Sequence, residues 1–580
     1  MTARNVLPAV CFSLVLSGAI AQTTETPQEG APAATQPKPA GEPEKQPPVR
    51  ETPPDVKAFN ELNKITDPEK KIAAIEKWKA DYSTSSMLDS GDEMILSTLV
   101  QKLPDQKSRI RTVASARYRK ATLKERGAVA TRIADQFLTG DLLLKDAEGY
   151  ARKGVDSMRL ATYLQDQIAG YEKRKAKVPS SEELQKRFRE SRAARVATLG
   201  RIEVKLGQTK RGQKLLEEAY VVNPDNVNVN AALGELAVKA GNDNKAIEYL
   251  IPARLSGRAP KTANGALESI YRKTHAGSPE QVKAGLEAML DTEYRKRYPN
   301  PIPTEAYKPT EKRSDRLVLG EVFTGSGCPP CAGADVAFDA AMARYSRKDL
   351  AVVMYHLHIP RPDPMTDLDT QARAKSYSVT GVPSFAIDGK KSMGGGPRDM
   401  AKQVFDRFQK DLEKDLETPA EAQLKADATL SGNAVKVKAT VEGVKSESKD
   451  LKVQIALVEK ELRFNGENGI RFHPMVVRAM GGTKGEGLAM DPSTGAGYEQ
   501  TFDLDEIGKA IKAHLDDYEA KGHRGEPFTF AEKKYQINRA DLAVVVFVQD
   551  DKTKHVLQAA YVDLSPESGL HPVTEANEPK

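Results

Sequence analysis

Cysteine is scarce in this chain: its 580 residues hold only three. Cys11 lies within an N-terminal apolar run and is expected to be removed with it, which leaves Cys328 and Cys331. A small scaffold stapled by several disulfides and a zinc site of four thiolates are thereby excluded. Long apolar runs are scarce too. Beyond the N-terminus no stretch is long and apolar enough to cross a bilayer, so no membrane span is expected in the mature chain. Charge of one sign is likewise lacking, since the net charge is only +6. The basic run from Tyr171 to Lys177 sits in a helical, alternating-charge context and reads as a solvated helix face, so no nucleic-acid partner is expected.

The chain opens MTARNVLPAVCFSLVLSGAIAQ, in which Arg4 supplies a positive start, an apolar run follows, and Ala19-Ile20-Ala21 forms a small-residue cleavage signal. That is the pattern of a secretory signal peptide over 1–21, and the run is short for the alternative, a membrane anchor. Cys11 lacks the small residues that precede a lipidated cysteine. The protein is expected to be exported to the periplasm, to the cell envelope or beyond the cell.

The hydrophobic content of 39% and charged content of 29% are those of a soluble protein, and the length suggests three or four domains. Residues 22–55 are rich in proline without large apolar side chains and are expected to form a disordered linker. From 56 to 300 the pattern is helical and alanine-rich, with Ser180 and Glu183 at capping-box spacing. Leu199-Gly200, Gly207, Leu216 and Ala219 recur 34 residues later as Leu233-Gly234, Gly241, Leu250 and Ala253. Small residues at such positions let antiparallel helices approach closely while the leucines fill the groove between hairpins. These units, best defined over 193–260, resemble the tetratricopeptide repeat, and Leu267 and Tyr271 suggest a degraded third copy. An array of this kind implies a concave surface for a protein partner; a plain spacer is the other reading.

After a linker at 301–315 the period changes. Leu317–Phe323 and Leu350–His356 read as buried strands, Ala332–Tyr345 as a helix, Gln371–Ser376 as helical, Ser384–Gly389 as a strand entering a turn, and Pro397–Leu416 as a final helix. Alternating strands and helices over 316–417 imply an α/β sheet. Over 418–565 short alternating strands at Val435–Val441, Leu451–Leu457, Leu542–Val548 and Val556–Val562, interrupted by one helix at Glu506–Tyr518, imply an antiparallel β-sandwich. Residues 566–580 are expected to be a disordered tail.

The cysteines sit in GEVFTGSGCPPCAGAD, between a strand and a helix. A thiolate at a helix start has a lowered pKa and attacks disulfides; a second cysteine one turn on can resolve the mixed disulfide. Here the Gly325-Ser326-Gly327 turn is expected to expose Cys328, and the Cys331 amide to face the Cys328 sulfur. Two other readings exist. A purely structural bridge would close so short a loop for only about 2 kcal/mol. A metal site would recruit His356 and His358 to make two sulfur and two nitrogen ligands, yet strand alternation lets at most one of them face the cysteines, so no metal is expected.

The order strand, Cys-x-x-Cys, helix, strand, helix and Thr380-Gly381-Val382-Pro383-Ser384-Phe385 is similar to the thioredoxin fold. More narrowly, the Phe323-Thr324-Gly325 turn with Tyr355-His356 and the later His473-Pro-Met-Val-Val-Arg478 resemble a secreted branch of that superfamily carrying a C-terminal β-sandwich. The resemblance implies an exported thiol–disulfide oxidoreductase needing no cofactor. Cys328 would be the nucleophile and Cys331 the resolving thiol, with Val382 and a cis Pro383 pairing with the substrate; protein thiols and disulfides would be the partners. Gly327 and Val322 replace an aromatic residue and a buried acid of the family pattern, and Glu321 is expected on the opposite face, which would slow resolution. The segment His358–Met365 reads as an inserted loop near the site, either lining a substrate groove or inert. The rival to catalysis is a non-enzymatic envelope protein that binds partners through its helices and sandwich, the α/β region serving as scaffold.

Overall fold

The computed structural model describes residues 52–491, 496–524 and 526–564. The expected signal peptide, nearly all of the 22–55 linker and the 566–580 tail lie outside the described residues.

The N-terminal half is helical: α1 (Pro54–Glu61), α2 (Pro68–Asp81), α3 (Leu88–Lys102), α4 (Lys107–Lys120), α5 (Arg126–Thr139), α6 (Leu144–Asp156), α7 (Leu160–Lys173), α8 (Ser181–Lys205), α9 (Thr209–Val222), α10 (Val227–Lys239), α11 (Asp243–Leu255), α12 (Lys261–Thr274) and α13 (Pro279–Arg297). Local chemistry sets several starts. The Ser180 hydroxyl accepts the Glu183 N–H at the head of α8, Asn226 and Asn242 cap α10 and α11, and Ser278 with Gln281 forms a full capping box on α13. The 34-residue recurrence has a structural cause. Gly207 and Gly241, at φ of +81° and +72°, lie just past the ends of α8 and α10 in the left-handed conformation that stops a helix. Gly200 and Gly234 face Leu216 of α9 and Leu250 of α11, where a Cβ would crowd the leucine. Leu267 and Tyr271 are buried on α12.

Two sheets follow. The larger runs in the order β12 (Val556–Leu564), β11 (Leu542–Asp550), β7 (Leu451–Arg463), β8 (Phe472–Met480), β2 (Leu350–His356), β1 (Val318–Thr324), β3 (Ser384–Ile387), β4 (Lys390–Met393), with β9 (Leu488–Ala489) attached to β7. β1 pairs parallel with β2 and antiparallel with β3. Helices α14 (Cys331–Arg344), α15 (Leu368–Ser376) and α16 (Ala401–Leu416) accompany this mixed part. The smaller sheet is antiparallel, in the order β10 (Ala496–Asp503), β6 (Ala434–Glu442), β5 (Gln423–Ser431). α17 (Leu504–Lys521) follows β10.

The sequence reading treats 316–417 and 418–565 as two units, whereas their strands share one sheet. The join is a parallel pairing of Met354 on β2 with Val476 on β8. Period-two alternation explains how one strand serves two cores. On β11, Leu542, Val544, Val546 and Val548 face the small sheet in a sandwich-like layer, while Ala543, Val545 and Phe547 join the core around β1, β2 and α14. A strand covered on both faces reads as the unbroken apolar run seen in the sequence.

Candidate functional site

β1 ends at Thr324 and α14 begins at Cys331, so the cysteines occupy the turn between them, bonded to each other with 5.3 Å between their Cα atoms. The Cys328 N–H donates to the Gly325 carbonyl at 3.0 Å. The Cys331 N–H donates to the Cys328 backbone carbonyl at 3.1 Å, not to the sulfur as the sequence suggested. Val382 and Pro383 are brought to this turn. The Val382 carbonyl oxygen lies 3.7 Å from the Cys328 Sγ, and the Val382–Pro383 peptide is cis. Gly395 packs between the Pro330 carbonyl and the Pro383 ring so closely that a Cβ would overlap both, and the Gly396 N–H donates to Pro330 at 2.8 Å.

The expected exposure of Cys328 is not found: its relative exposure is 1% and that of Cys331 is 0%. Pro329 and Pro330 are the exposed residues of the turn. Two segments pack on the cysteine turn. In the loop after β2, the Arg361 side chain lies over Gly327, and the Asp363 carboxylate accepts the Ser326 N–H at 2.6 Å. Hence His358–Met365 packs against the cysteine turn. The β7–β8 connection adds Asn468, whose N–H donates to the Ser326 carbonyl at 2.9 Å.

A buried polar group sits behind the turn. Asp335, one helical turn after Cys331, accepts from the Thr324 hydroxyl at 2.7 Å. Burial pushes its carboxyl up to about 7 despite that bond and the attraction of His356. The His356 Nδ1 lies 3.0 Å from the Asp363 Oδ2, while its Nε2 is buried without a partner. Burial opposes ionisation of Asp363, but His356 and the amides of Ser326 and Met365 outweigh it and hold the carboxylate well below its usual range. His473 on β8 stands edge-on to His356 at 5.2 Å between ring centroids, and burial lowers it to about 3. His358 accepts the Asp363 N–H at Nδ1 and is lowered by burial to about 4. Among the described residues, no three His, Cys, Asp or Glu side chains are grouped to hold a metal ion.

Glu321 points away from this group. On the α15 side of β1 it accepts from the Arg373 Nε at 2.8 Å, the Tyr355 hydroxyl at 3.0 Å and the Tyr377 hydroxyl. Val322 leaves the expected acid position apolar, and Asp335 and Asp363 are carboxyls on the cysteine side. Sequence reasoning missed Asp335, although a lone acid inside Cys331-Ala-Gly-Ala-Asp-Val-Ala-Phe338 is a readable signal. Asp363 and Asn468 carried none.

Beside the Val382 loop lies a cavity of about 460 Å³ lined by Leu357, His358, Ile359, Gln371, Val379 and Thr380 among others. No known protein family matches the chain, and no similar protein is found among curated proteins. No helix among the described residues is long and apolar enough to cross a membrane.

Proposed function

We propose that the protein is an exported thiol–disulfide oxidoreductase acting on protein disulfides, with a thioredoxin-like region around the cysteines and tetratricopeptide-like hairpins upstream. The observation that carries this reading is the Cys328–Cys331 bridge on a strand-to-helix turn with the Val382 carbonyl against Cys328. The placement of β1 between a parallel β2 and an antiparallel β3 supports the resemblance.

The chemistry balances within the thiols. In the reducing direction, the Cys328 thiolate attacks one substrate sulfur and forms a mixed disulfide, releasing the other substrate sulfur as a thiolate. Cys331, having given up its proton, attacks the Cys328 Sγ, closes the protein's own bridge and frees the second substrate sulfur. Two electrons pass from the protein dithiol to the substrate; the reverse sequence oxidises a substrate dithiol. Val382 and Pro383 pair with the extended substrate segment, and the cavity beside them receives one of its side chains. The helical hairpins offer the surface for a protein partner, and export follows from the signal-peptide reading of 1–21.

One observation favours the rival, a scaffold with an inert bridge: both sulfurs are at most 1% exposed. A glutathione redox titration of the full chain with free-thiol counting separates the two. A catalyst opens and closes its bridge reversibly, Cys331→Ala accumulates mixed disulfides with proteins, and Cys328→Ala does not. A bridge that stays closed in excess reduced glutathione, with no trapped species in Cys331→Ala, puts the scaffold in front.

A further inference from the structure

The β7–β8 connection is wedged between the helical half and the cysteine turn. On the helical side, Gly257 follows α11 at φ +69°, and a Cβ there would overlap the carbonyl oxygens of Asn465 and Gly466. The Tyr294 hydroxyl of α13 donates to the Gly469 carbonyl at 3.1 Å. The buried Arg471 guanidinium reaches Asp291 at 2.8 Å and Glu287 at 2.7 Å, both on α13, and the Asn465 Oδ1 at 2.7 Å. On the cysteine side, the Asn468 N–H donates to Ser326. Its Nδ2 is shared between the Gly325 carbonyl at 3.4 Å and the Asp335 Oδ2 at 3.5 Å. The Asn468 Oδ1 accepts the Ile470 N–H at 3.1 Å, which fixes the turn itself.

We propose that Asn468 is a positioning residue for the cysteine pair: anchored by α11 and α13, it steadies the turn that carries Cys328 and the carboxyl of Asp335. Helices and redox centre then form one coupled unit. The inference rests on the oxidoreductase reading. The Asp335 carboxyl faces the Thr324 hydroxyl from β1, the Asn468 amide from the connection, and the charges of His356 on β2 and Asp363 in the following loop. An amide N–H aimed at a carboxyl favours its anion, whereas a second carboxylate there disfavours it.

Asn468→Asp makes the sharp test, because it retains the acceptor for Ile470 and replaces only the donor. Alkylation of Cys328 in the reduced full-length protein is followed from about pH 5 to pH 9, a range that brackets the ordinary His and Cys values. The glutathione equilibrium is measured alongside. In Asn468→Asp the carboxyl inflection should move up by about one unit, as two carboxyls come to share a site. The alkylation rate and the glutathione equilibrium should change several-fold. Asn468→Ala should shift both readouts less, in the same direction. Tyr294→Phe removes an α13 hydroxyl that donates to the Gly469 carbonyl and also accepts from the Arg398 Nη1 at 3.2 Å, so it is read beside Arg398→Ala, which removes the second bond and spares the first. Tyr294→Phe should give a smaller change of the same sign that Arg398→Ala does not reproduce. Profiles and equilibria of Asn468→Asp and Tyr294→Phe that superimpose on those of the parent overturn the proposal. Should Asn468→Asp fail to fold, Tyr294→Phe compared with Arg398→Ala decides. If the parent does not exchange with glutathione, the oxidoreductase reading falls, and the alkylation profiles of chemically reduced protein still decide the role of Asn468.

Discussion

Strand β1 separates two buried polar groups. Toward α15, Glu321, Tyr355, Arg373, Tyr377 and Gln549 form a closed ring of bonds: the Arg373 Nη2 donates to the Gln549 Oε1 at 2.7 Å, and the Gln549 Nε2 donates back to the Tyr377 hydroxyl at 2.9 Å. None of the five leaves a buried side-chain nitrogen or oxygen without a partner. Toward α14, Thr324, Asp335, His356, Asp363 and His473 lie behind the disulfide, and there the His356 Nε2 is unpartnered while Asp335 and His473 are held near their neutral forms. A closed network satisfies each of its members and serves the fold. An open one, holding a carboxyl raised to about 7, is where proton-coupled chemistry belongs.

The largest test of this contrast falls on the closed side. Glu321→Ala leaves the Arg373 guanidinium, itself only 4% exposed, without its carboxylate. Removing one partner of a buried ion pair should destabilise the protein by about 3–5 kcal/mol, read as a drop in the urea midpoint. The glutathione equilibrium constant of the folded variant should stay within about twofold of the parent, as expected for an independent site. A large change in that constant with little loss of stability would reverse the two roles.

The open side should answer to pH, with two groups pulling in opposite directions. Asp335 is raised from 3.8 to about 7, so the folded state holds a proton that the unfolded chain has lost, and its contribution falls as pH rises across that window. His473 is lowered from 6.5 to about 3, so the folded state lacks a proton that the unfolded chain binds, and its contribution falls as pH drops. Between about pH 4 and pH 6.5 the slopes oppose each other, each at most about 1.4 kcal/mol per pH unit. Relative to the parent, Asp335→Asn should therefore gain stability as pH rises, to a ceiling of about 4 kcal/mol above pH 7. His473→Gln should gain as pH falls below 6.5. Flat difference curves in urea unfolding would show that Asp335 and His473 do not change their proton binding on folding.

The sequence revealed these two sides unevenly. Leu350–His356 was legible to the residue because a strand buried on both faces is an unbroken apolar run. Gly207 and Gly241 were legible as a recurrence, but their role was not: they stand in open space in left-handed backbone past helix ends, not at a close approach of helices. The chemistry of the cysteine pair was legible from spacing. Its burial was not, because the segments that pack on the turn, carrying Arg361 and Asn468, come from farther along the chain. Alternation alone sent Glu321 away from the cysteines, but nothing local announced Arg373 and Gln549 as its partners.

The smallest effect on stability should come from the cover itself. Arg361 is exposed and pairs with Glu467 at the surface, an interaction worth about 0–1 kcal/mol. Its Cγ and Cδ nevertheless lie over Gly327, next to Cys328. Arg361→Ala removes those methylenes without touching either buried network. The urea midpoint should barely move, while alkylation of Cys328 in the reduced protein should speed up a few-fold. If Arg361 also shields the site from substrate, mixed-disulfide trapping in an Arg361→Ala, Cys331→Ala double variant should rise in step. Unchanged alkylation in a fully stable variant would mean that the loop closes over the sulfurs through Asp363 and the Ser326 amide alone. The open side of β1 would then be sealed by the same kind of buried bond that closes the other.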